Sequence, residues 1–214
     1  MNKIALAPLS ALLITAFSAQ AENPTQNFNF VSGGLQISEY NHDLVSSANA
    51  WGATTTDDTA GIYLRGSWNF TDQVFVEARS EGTADNDLTI SHSLLGLGYY
   101  HPVNDNMTVY GLAGIAHSEA ELDVHYWGFS NAKTTFSGDD SGLTGEVGAR
   151  YQVMRNWTIE PAVRLAAYDD TLHELRLGNN IQLTRHFSVE ANLQHRDFDE
   201  LKETSYQLGA RYSF

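Results

Sequence analysis

The chain has 214 residues, no cysteine and a formal net charge of −14, since 12 Lys and Arg face 26 Asp and Glu. The missing cysteine excludes a disulfide framework, and the excess of acids disfavours a surface that binds nucleic acid. The mean hydropathy of −0.31 is slightly polar, which suits a sheet in which polar and apolar side chains alternate.

The N-terminal residues have the pattern of an export signal. Lys3 supplies a positive charge, residues 4–17 form an apolar run, and Ala19 and Ala21 form a small-x-small cleavage site. The run is too short for a membrane-spanning helix. We therefore predict a signal peptide that is cleaved after Ala21.

Cleavage would divide the chain into a signal peptide, residues 1–21, and one mature domain, residues 22–214. Without Lys3 the mature domain carries 11 cations against 26 acids, a net charge of −15. No later stretch approaches a transmembrane helix in length and hydropathy. Such an exported chain is expected in the periplasm, in the outer membrane or outside the cell.

Four short segments repeat one pattern, in which an apolar residue, two or three polar residues and a large apolar residue precede a strand. They lie at 70–77, 103–110, 153–160 and 183–190. Tight hairpin turns with an apolar residue at each shoulder have this pattern. The longer connections between them are acidic and rich in Gly, Ser, Thr and Asp. Short turns at one end and long loops at the other are typical of transmembrane β-barrels.

The four turns predict an all-β fold, an antiparallel up-and-down transmembrane β-barrel of ten strands. The approximate strand spans are 28–41, 59–70, 74–84, 88–103, 107–121, 142–153, 157–168, 172–183, 187–198 and 203–214. We expect loops at about 42–58, 85–87, 122–141, 169–171 and 199–202. An eight-stranded barrel needs only three short turns, so it is the second choice.

Alternate residues of these strands separate an apolar face from a polar one. The apolar rows carry no charge and include Ile62, Leu64, Trp68, Val74, Val76, Ile159, Val163, Leu165, Leu175 and Leu177. A closed barrel can place such rows in lipid because it leaves no unpaired strand edge.

The opposite rows collect charges of both signs. They contain Arg65, Glu77, Arg79, Glu146, Arg150, Glu160, Arg164, Glu174, Arg176, Glu190, Arg196 and Arg211, together with Tyr63, Tyr100, Tyr110 and Tyr168. Their cations are all Arg, whose planar fork suits close carboxylate pairs better than Lys does. We predict a lumen charge network in which Arg and Glu neutralise each other inside the barrel.

Two finer expectations concern the strand faces. Ile90 and His92 share one parity while Leu95 and Leu97 share the other, so we expect a β-bulge near Leu94. Aromatic residues near both strand ends predict two girdles at the membrane interfaces. The turn end has Trp68, Phe70, Tyr99, Tyr151, Trp157, Phe187, Tyr212 and Phe214, and the loop end has Tyr40, Tyr168, Phe198 and Tyr206.

The closing stretch, residues 205–214, alternates strictly and ends on Phe214. Together with the signal, the start Phe-Asn-Phe-Val-Ser-Gly-Gly at 28–34 and the repeated turns, it resembles the small OmpA/opacity-type outer-membrane β-barrels of Gram-negative bacteria. The resemblance implies an integral outer-membrane protein, a monomer, surrounded by outer-membrane lipid and lipopolysaccharide. It also implies that the barrel assembly machinery reads Tyr212 and Phe214 as an assembly signal.

Residues suited to catalysis are sparse. Omptin proteases, which are ten-stranded barrels, use Asp-x-Asp and Asp-x-His pairs at the outer rim, and this chain has Asp-Val-His at 123–125 and Asp-Phe-Asp at 197–199. The order is opposite to the omptin order, and we expect the strands to be too short for a deep cleft. We expect no enzyme, no catalytic residue, no metal site and no cofactor, with an omptin-like protease as a remote alternative. The outer acids, among them Asp57, Asp58, Asp139, Asp140, Asp169 and Asp170, are interpreted as solvated loop residues, with a divalent-cation site as the less favoured alternative.

The lumen decides between the remaining functions. Eight strands enclose an interior just filled by side chains, so ten leave modest extra room for bulky Arg, Glu and Tyr. We therefore predict a barrel with a surface or structural role, a largely plugged lumen and loops that face outside. The alternative is a narrow porin-like channel for ions or small solutes.

Overall fold

The computed structural model of the protein describes residues 25–49, 52–126, 132–198 and 201–214, so the predicted signal peptide lies outside the described residues. The strands are β1 (Phe30–Asn49), β2 (Gly52–Asn69), β3 (Val74–Asp85), β4 (Leu88–Asn104), β5 (Met107–Tyr126), β6 (Ala132–Met154), β7 (Trp157–Ala167), β8 (Thr171–Gln182), β9 (Phe187–Phe198) and β10 (Leu201–Ser213). Each strand pairs antiparallel with its chain neighbours, and β1 closes the barrel on β10. The predicted ten-stranded barrel is confirmed.

The four repeated turns are also confirmed, since β3, β5, β7 and β9 each begin directly after one of them. Two of the turns share one hydrogen-bond pattern. Phe70 N and Thr71 N both donate to Val74 O, and Leu183 N and Thr184 N both donate to Phe187 O. The repeated sequence pattern therefore encodes a repeated local geometry. Among the described residues we find no helical segment that could span a membrane.

Side chains alternate between the two sides of the wall as predicted. Ile62, Leu165 and Leu175 are about half exposed on the outside, whereas Phe30 and Phe75 are completely buried inside. Glycines make room for the inward rings: a Cβ at Gly98 would overlap the Phe75 ring, and one at Gly148 would overlap the Tyr110 ring. The wall is thus apolar outside and packed inside.

The predicted long loops are wrong over most of their length, because they are strand. Pairing of β1 with β2 continues to Asn49 opposite Gly52, and pairing of β5 with β6 continues to Tyr126 opposite Ala132. Segment 42–58 contains three consecutive Thr at 54–56 and segment 122–141 contains two at 134–135, and the β-branched side chain of Thr favours extended backbone. The two hairpins are therefore longer than the spans predicted from the apolar rows.

The extended hairpins meet above the short connection between β3 and β4. Ala48 of β1 pairs in parallel with Val124 of β5. Between them, Asp87 N donates to Ser46 O at 2.9 Å and Asp123 N donates to Asp87 O at 3.0 Å. The loop end of the barrel thus carries one joined structure made by two hairpins, which we call the outer platform (residues 42–49, 52–58, 119–126 and 132–139).

The predicted bulge near Leu94 is absent. The β3–β4 pairing runs without a shift from Val74 opposite Tyr99 to Asp85 opposite Leu88. Ile90 breaks the expected alternation because it faces inward, where it packs with Tyr40 and Leu88. An apolar cluster inside the loop end had not been anticipated.

The expected girdle is correct at the turn end, but at the loop end it is correct only for Tyr206, which is about half exposed, and wrong for the other three aromatics. At the turn end, Trp68, Phe70, Tyr99 and Phe187 are about half exposed on the outer surface. At the loop end, Tyr40 is buried, and Tyr168 and Phe198 pack inside the barrel against Ala116, Ala166 and Leu172. The three inward rings fill the lumen there instead of facing lipid.

Candidate functional site

The lumen is the candidate site, because all twelve residues of the predicted charge network lie buried inside it. Two further carboxylates, Glu81 and Glu203, are buried with them. The interior therefore holds seven Arg and seven Glu among the described residues, so their formal charges cancel. Both extra acids follow the inward parity, two residues after Arg79 and eight before Arg211. Extending the parity count to the strand ends would have found them.

Six of these residues form a closed ring of ion pairs, which we call the charge ring: Arg65, Glu77, Arg79, Glu146, Arg176 and Glu160. Glu77 bridges Arg65 and Arg79, at 2.8 and 2.6 Å. Glu146 bridges Arg79 and Arg176, at 2.5 and 2.8 Å. Glu160 closes the ring by accepting from Arg176 at 3.1 Å and from Arg65 at 2.6 Å.

The charge ring crosses the whole lumen. Arg65 lies on β2 and Glu160 on β7, strands that stand opposite each other in the ten-strand order. Tyr110 fills the space beside the ring, where its hydroxyl donates to Glu146 Oε1 at 2.9 Å. Arg150 is attached to the ring from the turn side through Glu160 Oε2 at 3.0 Å. The interior charges therefore form a layer across the barrel and do not line one wall.

A second group of charges lies nearer the loop end. Arg196 contacts Glu81 at 2.6 Å, Glu174 at 2.8 Å and Glu203 at 3.2 Å. Because Glu81 lies on β3 and Arg196 on β9, this group also reaches across the lumen. Arg164 shares Glu174 with Arg196, at 2.6 Å. We call this group the upper cluster.

The two remaining members of the charge network, Arg211 and Glu190, and one histidine make further contacts inside the barrel. Arg211 forms an ion pair with Glu190, which also accepts a hydrogen bond from the Tyr63 hydroxyl at 3.3 Å. His92 Nε2 lies 3.3 Å from Glu203 Oε2, and its ring stacks on Phe198 at 5.9 Å. Arg211 and Tyr63 thus give the Glu190 carboxylate two donors, as a buried charge requires.

Apolar layers close the network from both sides. At the turn end, Phe28 packs in one cluster with Phe75, Tyr100 and Tyr110. At the loop end, Tyr40, Leu88 and Ile90 form another cluster, against which Leu44, Leu122 and Leu201 pack. Hydrogen bonds and ion pairs are electrostatically stronger in a buried interior of low dielectric constant than in water. The arrangement suits closure and rigidity.

The residues considered for omptin-like chemistry lie apart. Asp123 is on β5 and Asp197 on β9, with three strands between them. Thr135 Oγ1 donates to Asp123 at 2.7 Å, and Lys202 donates to Asp197 at 2.8 Å and thereby lowers the pKa of its carboxyl. The side chains of His125 and Asp199 fall outside the described residues. Within the described ranges, no group of three or more His, Asp or Glu could hold a metal ion.

The predicted assembly residues lie at the turn-end rim. Tyr212 is 39% exposed and packs its ring 5.0 Å from Phe187. Phe214 follows the last strand residue, and its N–H donates to Asn29 O at 3.1 Å. The predicted cleavage residues, Ala19 and Ala21, lie outside the described part of the chain.

Comparison with known proteins agrees with this architecture. The profile of a family described as "Outer membrane protein beta-barrel domain" matches residues 7–176. The outer membrane protease OmpT from Escherichia coli superimposes with a TM-score of 0.55 at 8% identity, covering 91% of this chain and all of OmpT. Ail, the attachment invasion locus protein of Yersinia pestis, gives 0.42 at 17% identity, covering 86% and 97% of the two chains.

OprG from Pseudomonas aeruginosa gives a TM-score of 0.43 at 15% identity, covering 90% of this chain and 99% of OprG. No curated protein matches the sequence. At these identities the solved structures speak to the fold alone. The family profile spans most of the chain.

Proposed function

The chain belongs to the outer-membrane β-barrel family of Gram-negative bacteria, and we propose that it acts at the cell surface as a closed barrel. In this proposal the lumen is plugged and the outer platform is the working part. The observation that carries it is the charge ring, which spans the lumen from β2 to the opposite strand β7. The turn end then faces the periplasm and the loop end faces outside.

The charge ring supports a closed lumen because each of its side chains contacts more than one partner. Arg176 donates to Glu146 at 2.8 Å, to Glu160 at 3.1 Å and to the Tyr110 hydroxyl at 3.0 Å. Charge-assisted bonds of this kind are roughly twice as strong as neutral ones. A solute passing the ring would have to break several of them together, in a barrel with modest spare volume.

The outer platform supports the surface role. Its two hairpins extend past the shorter β7–β8 and β9–β10 connections, and they are joined by the parallel pairing of β1 with β5 and by backbone hydrogen bonds through Asp87. Exposed Thr54, Thr55, Asp57 and Asp58 cover one hairpin. Side chains held on such a rigid scaffold are well placed for binding, because little conformational freedom is lost on contact.

The protease alternative has weaker support. Asp123 and Asp197 lie on strands that are not neighbours, and each carboxylate already accepts a hydrogen bond from a neighbouring strand. A general base needs to be within hydrogen-bond reach of the water that it activates. The extended hairpins do remove one objection to the protease. The strands β1, β2, β5 and β6 are not too short to form part of an outer cleft.

Single-channel recording on the refolded barrel in a planar bilayer tests the proposal. A heat-dependent mobility shift on a gel first shows that the barrel is folded. We expect silence from the parent chain. Discrete conductance steps that change in Glu160→Gln, but not in the exposed control Glu121→Gln, would contradict the closed barrel. Such steps would favour the alternative, a narrow channel.

A further inference from the structure

The segment that precedes β1 turns back into the periplasmic mouth of the barrel. Thr25 and Phe28 are both completely buried. Thr108 Oγ1 of β5 donates to Thr25 Oγ1 at 3.1 Å, and Arg150 Nη1 of β6 donates to Asn27 O at 2.8 Å. The segment is therefore held by the far wall of the barrel, across from the strand that it leads into.

Phe28 fills an aromatic pocket in this mouth. Its ring stacks on Phe75 at 4.2 Å and on Tyr100 at 4.7 Å, and it meets the edge of Tyr110 at 5.7 Å. The guanidinium carbon of Arg150 lies 3.6 Å from the centre of the same ring. Three aromatic rings and one cation therefore enclose the Phe28 ring. Stacking and cation–π contacts both stabilise the ring in this position, where it blocks the mouth.

Asn29 is the point at which the segment leaves the wall. Asn29 N donates to Asn27 Oδ1 at 2.7 Å, which folds the preceding residues back on themselves. Its side-chain oxygen accepts from Asn69 N at 2.8 Å, and its carbonyl accepts from Phe214 N at 3.1 Å. From Phe30 onward the chain is fixed by the β1 ladder. The residues before Asn29 are held by side chains of the mouth.

We propose that residues 25–29 are a gate, a segment of this chain that seals the periplasmic mouth with Phe28 and swings out about Asn29. Withdrawal uncovers Arg150 and the periplasmic face of the charge ring. Arg150 Nη2 is buried and has no hydrogen-bond partner among the described residues, so it is ready to meet water or an anion once the ring leaves. The gate is a proposal separate from the closed barrel. When residues 25–29 swing out, the charge ring still blocks the lumen above them.

The natural absence of cysteine makes a clean accessibility test possible. Thr108→Cys places a thiol on the wall directly behind the gate, where Thr108 is fully buried. In folded barrels, a water-soluble maleimide should label this thiol slowly. Adding Phe28→Ala should raise the labelling rate by roughly tenfold or more, since local opening controls access to a protected site. The matched control is Phe187→Ala, which removes an exposed ring from the same rim and should leave the rate unchanged.

A second variant covers the case in which Phe28→Ala does not fold. The pair Thr25→Cys and Thr108→Cys should form a disulfide on oxidation, because the two hydroxyl oxygens already lie 3.1 Å apart. The link should then hold the gate shut and raise the temperature of the gel mobility shift. Fast labelling of Thr108→Cys in the otherwise unchanged barrel, unchanged labelling with Phe28→Ala, or failure of the pair to cross-link would each overturn the gate. Neither readout uses current, so the gate and the closed barrel can fail separately.

Discussion

At the residue scale, the lumen explains why the interior cations are arginines. Arg65 meets Glu77 through Nε and Nη2 and meets Glu160 through Nη2, so one side chain joins two carboxylates on different strands. Arg79 does the same for Glu77 and Glu146. A lysine ammonium is a single point charge and lacks this fixed, planar set of donors. Closing a ring of alternating charges across a barrel needs the arginine geometry.

Glu146 is the carboxylate of the charge ring with the most deeply buried side chain. It accepts from Arg79, Arg176 and Tyr110, and it is 2% exposed. Glu146→Gln keeps the shape but leaves two guanidinium groups without their shared carboxylate, so we expect a loss of about 3–5 kcal/mol in unfolding free energy. Unfolding in urea, monitored by tryptophan fluorescence, measures this change in the free energy of unfolding. Glu121→Gln, at an exposed position, should change the value by less than about 0.5 kcal/mol. Equal effects of the two changes would contradict an interlocked ring.

At the element scale, the strands fit together because small residues stand beside large inward rings. Phe75 of β3 lies over Gly98 of β4, and Tyr110 of β5 lies over Gly148 of β6. Any larger side chain at these glycines would overlap the ring and force it to move. The neighbouring strands therefore constrain each other through side-chain volume as well as through backbone hydrogen bonds.

This complementarity gives a matched pair of glycine substitutions. Gly98→Ala should destabilise the barrel by about 1–3 kcal/mol, because the new methyl group would overlap the Phe75 ring. Gly82→Ala on β3 adds the same group where nothing lies within 4 Å, so it should be close to neutral. Comparing the two in the same urea series separates crowding from the backbone preference of alanine. A tolerated Gly98→Ala would mean that Phe75 can move freely.

The same scale shows what the sequence could and could not predict. The turns were predictable because each is encoded by consecutive residues, and the inward rows because side-chain alternation is a local rule. The outer extensions of β1, β2, β5 and β6 were missed because their polar rows stand clear of the lipid, so no apolar period marks them. Tyr40 and Phe198 were misplaced because nearness to a strand end does not decide which side of the wall an aromatic faces.

The sequence did not predict which inward Arg and Glu residues contact each other in the lumen. Parity shows that Arg65 and Glu160 both point inward, but it does not show that they meet. Their contact at 2.6 Å depends on the strand number, which places β2 opposite β7, and on the stagger that brings them to one height. Contacts across a barrel are determined by the closed sheet as a whole. The sequence of a single strand therefore does not show which residues meet across the lumen.

At the scale of the whole molecule, closure of the barrel and its two ends are linked. The first and last strands meet along the β1–β10 seam, from Phe30 opposite Ser213 to Tyr40 opposite Glu203. The seam begins beside the gate, where Phe214 N donates to Asn29 O, and it ends beside the upper cluster through Glu203. Both ends of the lumen are therefore completed only when the last strand is in place.

Deleting Phe214 tests how the chain reaches this state. We predict that the assembly machinery reads the terminal aromatic, so the deletion should lower the amount of heat-modifiable barrel in the outer membrane several-fold. The folded barrel itself should lose little, because Phe214 lies outside β10 and the β1–β10 pairs up to Ser213 remain. Refolding of the purified deletion protein in detergent should therefore proceed with an undiminished yield.

The control for this experiment is Phe187→Ala, which removes an exposed ring from the same rim but leaves the chain end intact. Its level in the outer membrane should stay near that of the parent. Normal outer-membrane levels of the Phe214 deletion would refute the assembly signal. Reduced levels together with failed refolding in detergent would instead assign Phe214 to the stability of the β1–β10 seam, since its backbone bond to Asn29 would then be needed to close the barrel.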